Sequence, residues 1–100
     1  MIGVSKFSLG RDVCDAIAEA KSRFKFGTLP HYNGHELLST TAGRRGAYFL
    51  EHHVGQAHHG DNRPVGKRRL VLLIQSERVE EMYFSDAHYG PGSWTRIMDF

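Results

Sequence analysis

Cysteine is nearly missing from this chain. Cys14 is the only one, which excludes an intrachain disulfide and a thiolate zinc cage and makes a reducing compartment the simpler expectation. Long apolar runs are missing as well. Nothing approaches the roughly 20 residues of a membrane-spanning helix, and Met1-Ile2-Gly3-Val4-Ser5-Lys6-Phe7 has no secretory-type apolar stretch. The expectation is a soluble, cytoplasmic protein with no membrane partner. Internal repeats, heptads and low-complexity segments are also lacking, as are the phosphate-loop, His-Glu-x-x-His, helix-turn-helix, zinc-finger and RNP signatures. Sequence-specific DNA reading and nucleotide-triphosphate chemistry therefore have no support.

A strong net charge is lacking too, since the chain carries only +2. Its distribution is uneven. Residues 1–33 hold five Lys/Arg against three Asp/Glu, residues 34–69 six against three, and residues 70–100 two against five. This dipole gives the protein a basic side suited to an anionic partner.

What is present suits one folded domain spanning 1–100. One hundred residues with 40% apolar content bury a single core without metal or disulfide support, while 11 glycines imply many turns. The most organised stretch is Lys67-Arg68-Arg69-Leu70-Val71-Leu72-Leu73-Ile74-Gln75, whose five apolar residues in a row read as a strand covered on both faces. Gln75-Ser76-Glu77-Arg78 then supplies a polar turn, and Val79 to Ser85 returns as the second arm of an antiparallel hairpin.

Upstream, Leu9, Val13, Ala16, Ile17, Ala20 and Phe24 recur at spacings of three and four. That stripe predicts an amphipathic helix from about Arg11 to Phe24, capped by Ser8, supported by a Glu19 and Arg23 pair and stopped by Gly27. Val4 to Phe7 is read as an edge strand. His35 to Thr41 and Ala47 to His53 are read as a hairpin with Arg44-Arg45 at its tip. Residues 54–66 form one long flexible loop, and Trp94 to Phe100 close the chain as a strand or a helical turn. The resulting fold class is two-layer α+β, with one main N-terminal helix packed on a four- to five-stranded antiparallel sheet.

Three sets of residues carry chemistry. The first is basic: Arg44, Arg45, Arg63, Lys67, Arg68 and Arg69 offer ammonium and guanidinium groups to phosphates or an acidic surface, with Tyr32, Tyr48 and Tyr89 available to stack. The second combines Glu51 with His52, His53, His58 or His59 and those same bases, the residue types that a metal-independent ribonuclease needs as base, acid and phosphorane-stabilising cation. Its candidate catalytic residues are Glu51, His58 and His59. The third is a weak metal set of His52, His58 and His59, limited because adjacent residues on a strand face opposite ways. Cys14 is read as a partly buried structural thiol.

The reading preferred from sequence is a small non-enzymatic binding module. It would act as a stoichiometric inhibitor or accessory factor, docking a basic loop edge onto nucleic acid or a nucleoprotein complex, for example one of phage or mobile-element kind, with no cofactor. The ribonuclease is the alternative, and a structural homodimer joined through the C-terminal aromatic tail is a second alternative.

Overall fold

The apolar run is the spine of the sheet. The computed structural model describes residues 1–55, 68–86 and 94–100. Five strands and one α-helix follow in the order β1 (Ile2–Val4), α1 (Arg11–Phe26), β2 (Tyr48–His53), β3 (Arg69–Gln75), β4 (Arg78–Ser85) and β5 (Trp94–Ile97). The sheet order is β1-β5-β4-β3-β2. All pairings are antiparallel except β1 with β5, which run parallel. The molecule is therefore α+β, one helix on a five-stranded, mostly antiparallel sheet.

The period of the strand explains both faces. On β3, Leu70, Leu72 and Ile74 point to α1 and join Val13, Ala16, Ile17, Ala20, Leu50, Met82 and Ile97 in the larger core. Val71 and Leu73 point the other way, into a second cluster with Tyr32, Leu37, Phe49, Tyr83 and Trp94. Continuous burial along β3 follows from having both faces covered. The second cover comes from the segment before β2, so the two-layer expectation gains a partial third layer.

Several local expectations are corrected. The stretch expected as a strand from His35 contains a short 3-10 turn at Leu38–Thr41, and consecutive hydrogen-bonded turns carry the chain on to Ala47. No hairpin forms there, because β2 takes β3 as its partner and the segment packs Leu37 down on the second face. The first strand is Ile2–Val4, ahead of the expected position, and the chain turns through Lys6–Ser8 before α1. Ser5 caps that turn, while the N-cap of α1 is Gly10 and not Ser8. Gly27 does end α1 in the left-handed region at φ 70°, where a missing Cβ removes the usual penalty. Val54 is buried and bonds to the Arg68 carbonyl, extending pairing into the expected loop, whose residues 56–66 lie outside the described residues.

The tail resolves as a strand. Trp94 and Ile97 are buried and Phe100 packs against the helix-side core, leaving Met98 exposed. Asp99 ties it to the other end of the chain, accepting Ser5 Oγ at 2.7 Å and the Lys6 N–H at 2.7 Å. Those two bonds, the backbone donor first, hold the Asp99 carboxyl below the ordinary aspartate range. Among the described residues no helix is long and apolar enough to cross a membrane.

Candidate functional site

The face of the sheet away from α1 is where polar side chains gather. Register places His53 of β2 opposite Arg69 of β3, and Glu51 two residues back on the same face, opposite Val71. The two-residue period of β2 puts Glu51 and His53 on one face, and the register with β3 brings Arg69 beside them. A segment preceding β2 closes the side. Tyr32 N–H donates to the Phe49 carbonyl at 3.0 Å, Glu51 N–H donates to the Pro30 carbonyl at 2.9 Å, and His31 bridges to Leu50. These contacts bring His31, Tyr32, Asn33, Gly34 and Glu36 to the rim, and with the three strand residues they line an open cleft of about 350 Å³.

The electrostatics are mixed. Glu36 accepts the Tyr32 hydroxyl at 2.6 Å, and that bond is the main reason its carboxyl sits below the usual glutamate range. Burial lowers the pKa of His53 and Arg69 lowers it further, with Glu51 pulling the other way. His53 Nδ1 is buried with no hydrogen-bond partner among the described residues. Arg69 is 8% exposed and donates from Nη1 to the Arg68 carbonyl at 2.9 Å. His31 also stacks on exposed Tyr48, with centroids 5.5 Å apart, above a neighbouring groove of about 300 Å³ floored by Phe24, Leu29 and Leu50.

The residues read from sequence as one basic edge are spread over the molecule. Arg44 donates to Glu81 at 2.9 Å, and that carboxylate also faces Arg96 at 3.7 Å and takes the Tyr83 hydroxyl. Arg45 is exposed, and its carbonyl accepts Gln75 Nε2. Arg68 turns to the helix side and pairs with Asp12 in the first turn of α1, while Arg69, next in the chain, lines the cleft on the opposite face. Arg63 and Lys67 lie outside the described residues.

Of the catalytic set, Glu51 lines the cleft, and His58 and His59 lie outside the described residues. His52, named in the weak metal set, is buried on the α1 side against Arg23 and Glu19. Among the described residues no three His, Cys, Asp or Glu side chains stand close enough to hold a metal ion together. Cys14 is half-buried, 3.4 Å from the Lys6 carbonyl. Of the tyrosines considered for stacking, Tyr48 is exposed, Tyr32 is buried at the cleft wall, and Tyr89 lies outside the described residues.

Sequence reasoning placed no weight on His31, Tyr32 and Glu36 as companions of Glu51. The signal for them is indirect: His31 and His35 flank Tyr32-Asn33-Gly34 in a loop that starts at Pro30, but nothing in spacing says that such a loop folds beside β2.

No protein family, curated protein or solved structure matches the chain.

Proposed function

We propose that this chain is a small metal-independent ribonuclease that works from the cleft opposite α1. The observation that carries the reading is the convergence of Glu51, His53 and Arg69 on one face of two paired strands, with His31 at the rim. RNA brings its own nucleophile, so its cleavage asks for only a base, an acid and a cation. Glu51 takes the proton from the ribose 2′-hydroxyl as that oxygen attacks phosphorus. Arg69 neutralises the growing charge on the non-bridging oxygens. An imidazole gives its proton to the departing 5′ oxygen, leaving a 2′,3′-cyclic phosphate and a 5′-hydroxyl.

The alternative of a non-enzymatic module docking through one basic edge has less geometric support. Arg44 is held by Glu81, Arg68 by Asp12, and Arg69 faces away from Arg68. Rigid placement on strands suits a catalytic constellation better than a docking patch.

The test uses a 5′-labelled single-stranded RNA containing all four bases, in chelator, beside the same oligonucleotide with every ribose replaced by deoxyribose. RNA yielding cyclic-phosphate ends, with the deoxy strand intact, is the expected result. Glu51→Gln and Arg69→Gln lose roughly a hundredfold or more in rate. Alanine at each of the seven histidines in turn identifies the proton donor. A wild type that leaves RNA intact ends this reading, and one that binds RNA without cutting it restores the binding module.

A further inference from the structure

Arg23 and His52 lie on the side of β2 away from the cleft, yet together they hold both segments from which the cleft wall is made. His52 is 5% exposed. The Arg23 guanidinium, in the last turn and a half of α1, brings Nη1 to 3.1 Å from His52 Nδ1. Arginine has donors only, so Nδ1 is the acceptor and the ring proton belongs on Nε2.

The same guanidinium donates from Nη2 to the Thr28 carbonyl at 2.8 Å and from Nε to Thr28 Oγ1 at 3.3 Å. Thr28 answers with its N–H and its hydroxyl to the Arg23 carbonyl, at 3.0 and 3.3 Å. From this anchored residue the chain runs to Pro30 and Tyr32, whose carbonyl and N–H bond to Glu51 and Phe49 along the outer edge of β2. Arg23 thus touches β2 at His52, next to Glu51, and touches the segment carrying His31 and Tyr32 at its root.

We propose that Arg23 is a positioning residue that clasps residues 28–32 onto β2, and that the clasp is acid-labile because only a neutral His52 accepts it. The clasp stands on its own geometry; its consequence for RNA rests on the function proposed above. The groups facing His52 are Glu19 and Arg23 of α1, beside Leu70 of β3, while His53, on the opposite face of β2, acts on it only through its charge. Protonation sets two donors and two positive charges against each other across 3.1 Å. Glu19 Oε2, at 3.7 Å from Nε2 and largely exposed, pulls toward the charged ring, but it does so from the Nε2 side, so protonation still removes the Nδ1 acceptor that Arg23 uses. Burial is the largest influence on the ring and, with Arg23 and His53, keeps its pKa below the ordinary imidazole value.

Amide hydrogen exchange on the intact chain tests the clasp without any RNA. The Glu51 and Tyr32 amides report on it, and the β3 amides report on global opening. Between pH 7.5 and 4.5, the wild-type protection factors at Glu51 and Tyr32 should fall further than those at β3, by up to about tenfold for each pH unit between the ordinary imidazole pKa of about 6.5 and the lowered value of the clasped His52. His52→Asn keeps an acceptor near the Nδ1 position that does not titrate. It should show wild-type protection at neutral pH and no acid loss. Arg23→Gln should show low protection at both amides throughout. A His52→Asn protein whose Glu51 and Tyr32 amides lose protection in acid as the wild type's do would overturn the proposal. If RNA is cleaved, KM should rise in acid for the wild type and stay level for His52→Asn. An inert wild type removes that consequence alone and leaves the exchange result to decide the clasp.

Discussion

Leu72 is the residue on which the stability of this fold can be tested most directly. It is fully buried at the centre of β3, opposite Leu50 on β2 and Met82 on β4, and it faces α1 within the larger core. Leu72→Ala removes three carbon atoms, worth about 2.4 kcal/mol at ~0.8 kcal/mol each. The cavity left beneath the helix raises the total to about 3–4 kcal/mol, since neighbours on three sides relax only in part. A domain of this size is stable by roughly 5–15 kcal/mol, so the alanine variant stays folded and melts roughly 12–30 °C lower. Leu72→Asp adds an unpaired charge in the same place and should not fold at all. Urea denaturation followed by circular dichroism measures both. A Leu72→Ala loss below about 1 kcal/mol, or a cooperatively folded Leu72→Asp protein, would refute the placement of this side chain under α1.

Four further outcomes are expected. The turn between β3 and β4 holds Ser76 and Glu77 at φ 53° and 62°, so Ser76→Asn with Glu77→Gly should raise stability by about 0.5–1 kcal/mol in urea titration. Arg44→Ala should cost about 1–2 kcal/mol, and a double-mutant cycle with Glu81→Ala should recover much of it as coupling, because Glu81 anchors that guanidinium to the sheet. The Asp99 carboxyl is lowered in the folded chain, so its contribution is present above the ordinary aspartate pKa and is lost as pH falls through the folded value. The urea midpoint of wild type minus that of Asp99→Asn should therefore shrink in acid. Gly34→Ala pushes a Cβ into the Tyr32 ring and hydroxyl, and the Glu36 carboxyl, freed from that hydroxyl, should titrate higher by NMR.

How far the sequence alone reached depends on the range of the force involved. The stripe of Val13, Ala16, Ile17 and Ala20 specified α1 and its buried face, because helical periodicity is a local property. The apolar run and the polar turn at Gln75–Arg78 specified the central hairpin for the same reason. Gly27 marked the end of the helix through its own backbone freedom. The presence of a carboxylate, imidazoles and guanidiniums was equally plain, as was the alternation that sends His52 and His53 to opposite faces.

Only the tertiary structure decided which of these meet. Consecutive residues Arg68 and Arg69 look equivalent in the sequence, yet strand alternation against two covered faces sends one to Asp12 at the helix start and the other into the cleft. His52 and His53 part in the same way, one to Arg23 beneath the helix and one to the far face. The segment from Pro30 to Glu36 reads as a loop because its pairing with the edge of β2 is non-local. Its closing contacts, Tyr32 with Phe49 and Pro30 with Glu51, join residues far apart in the chain, and no local pattern encodes them.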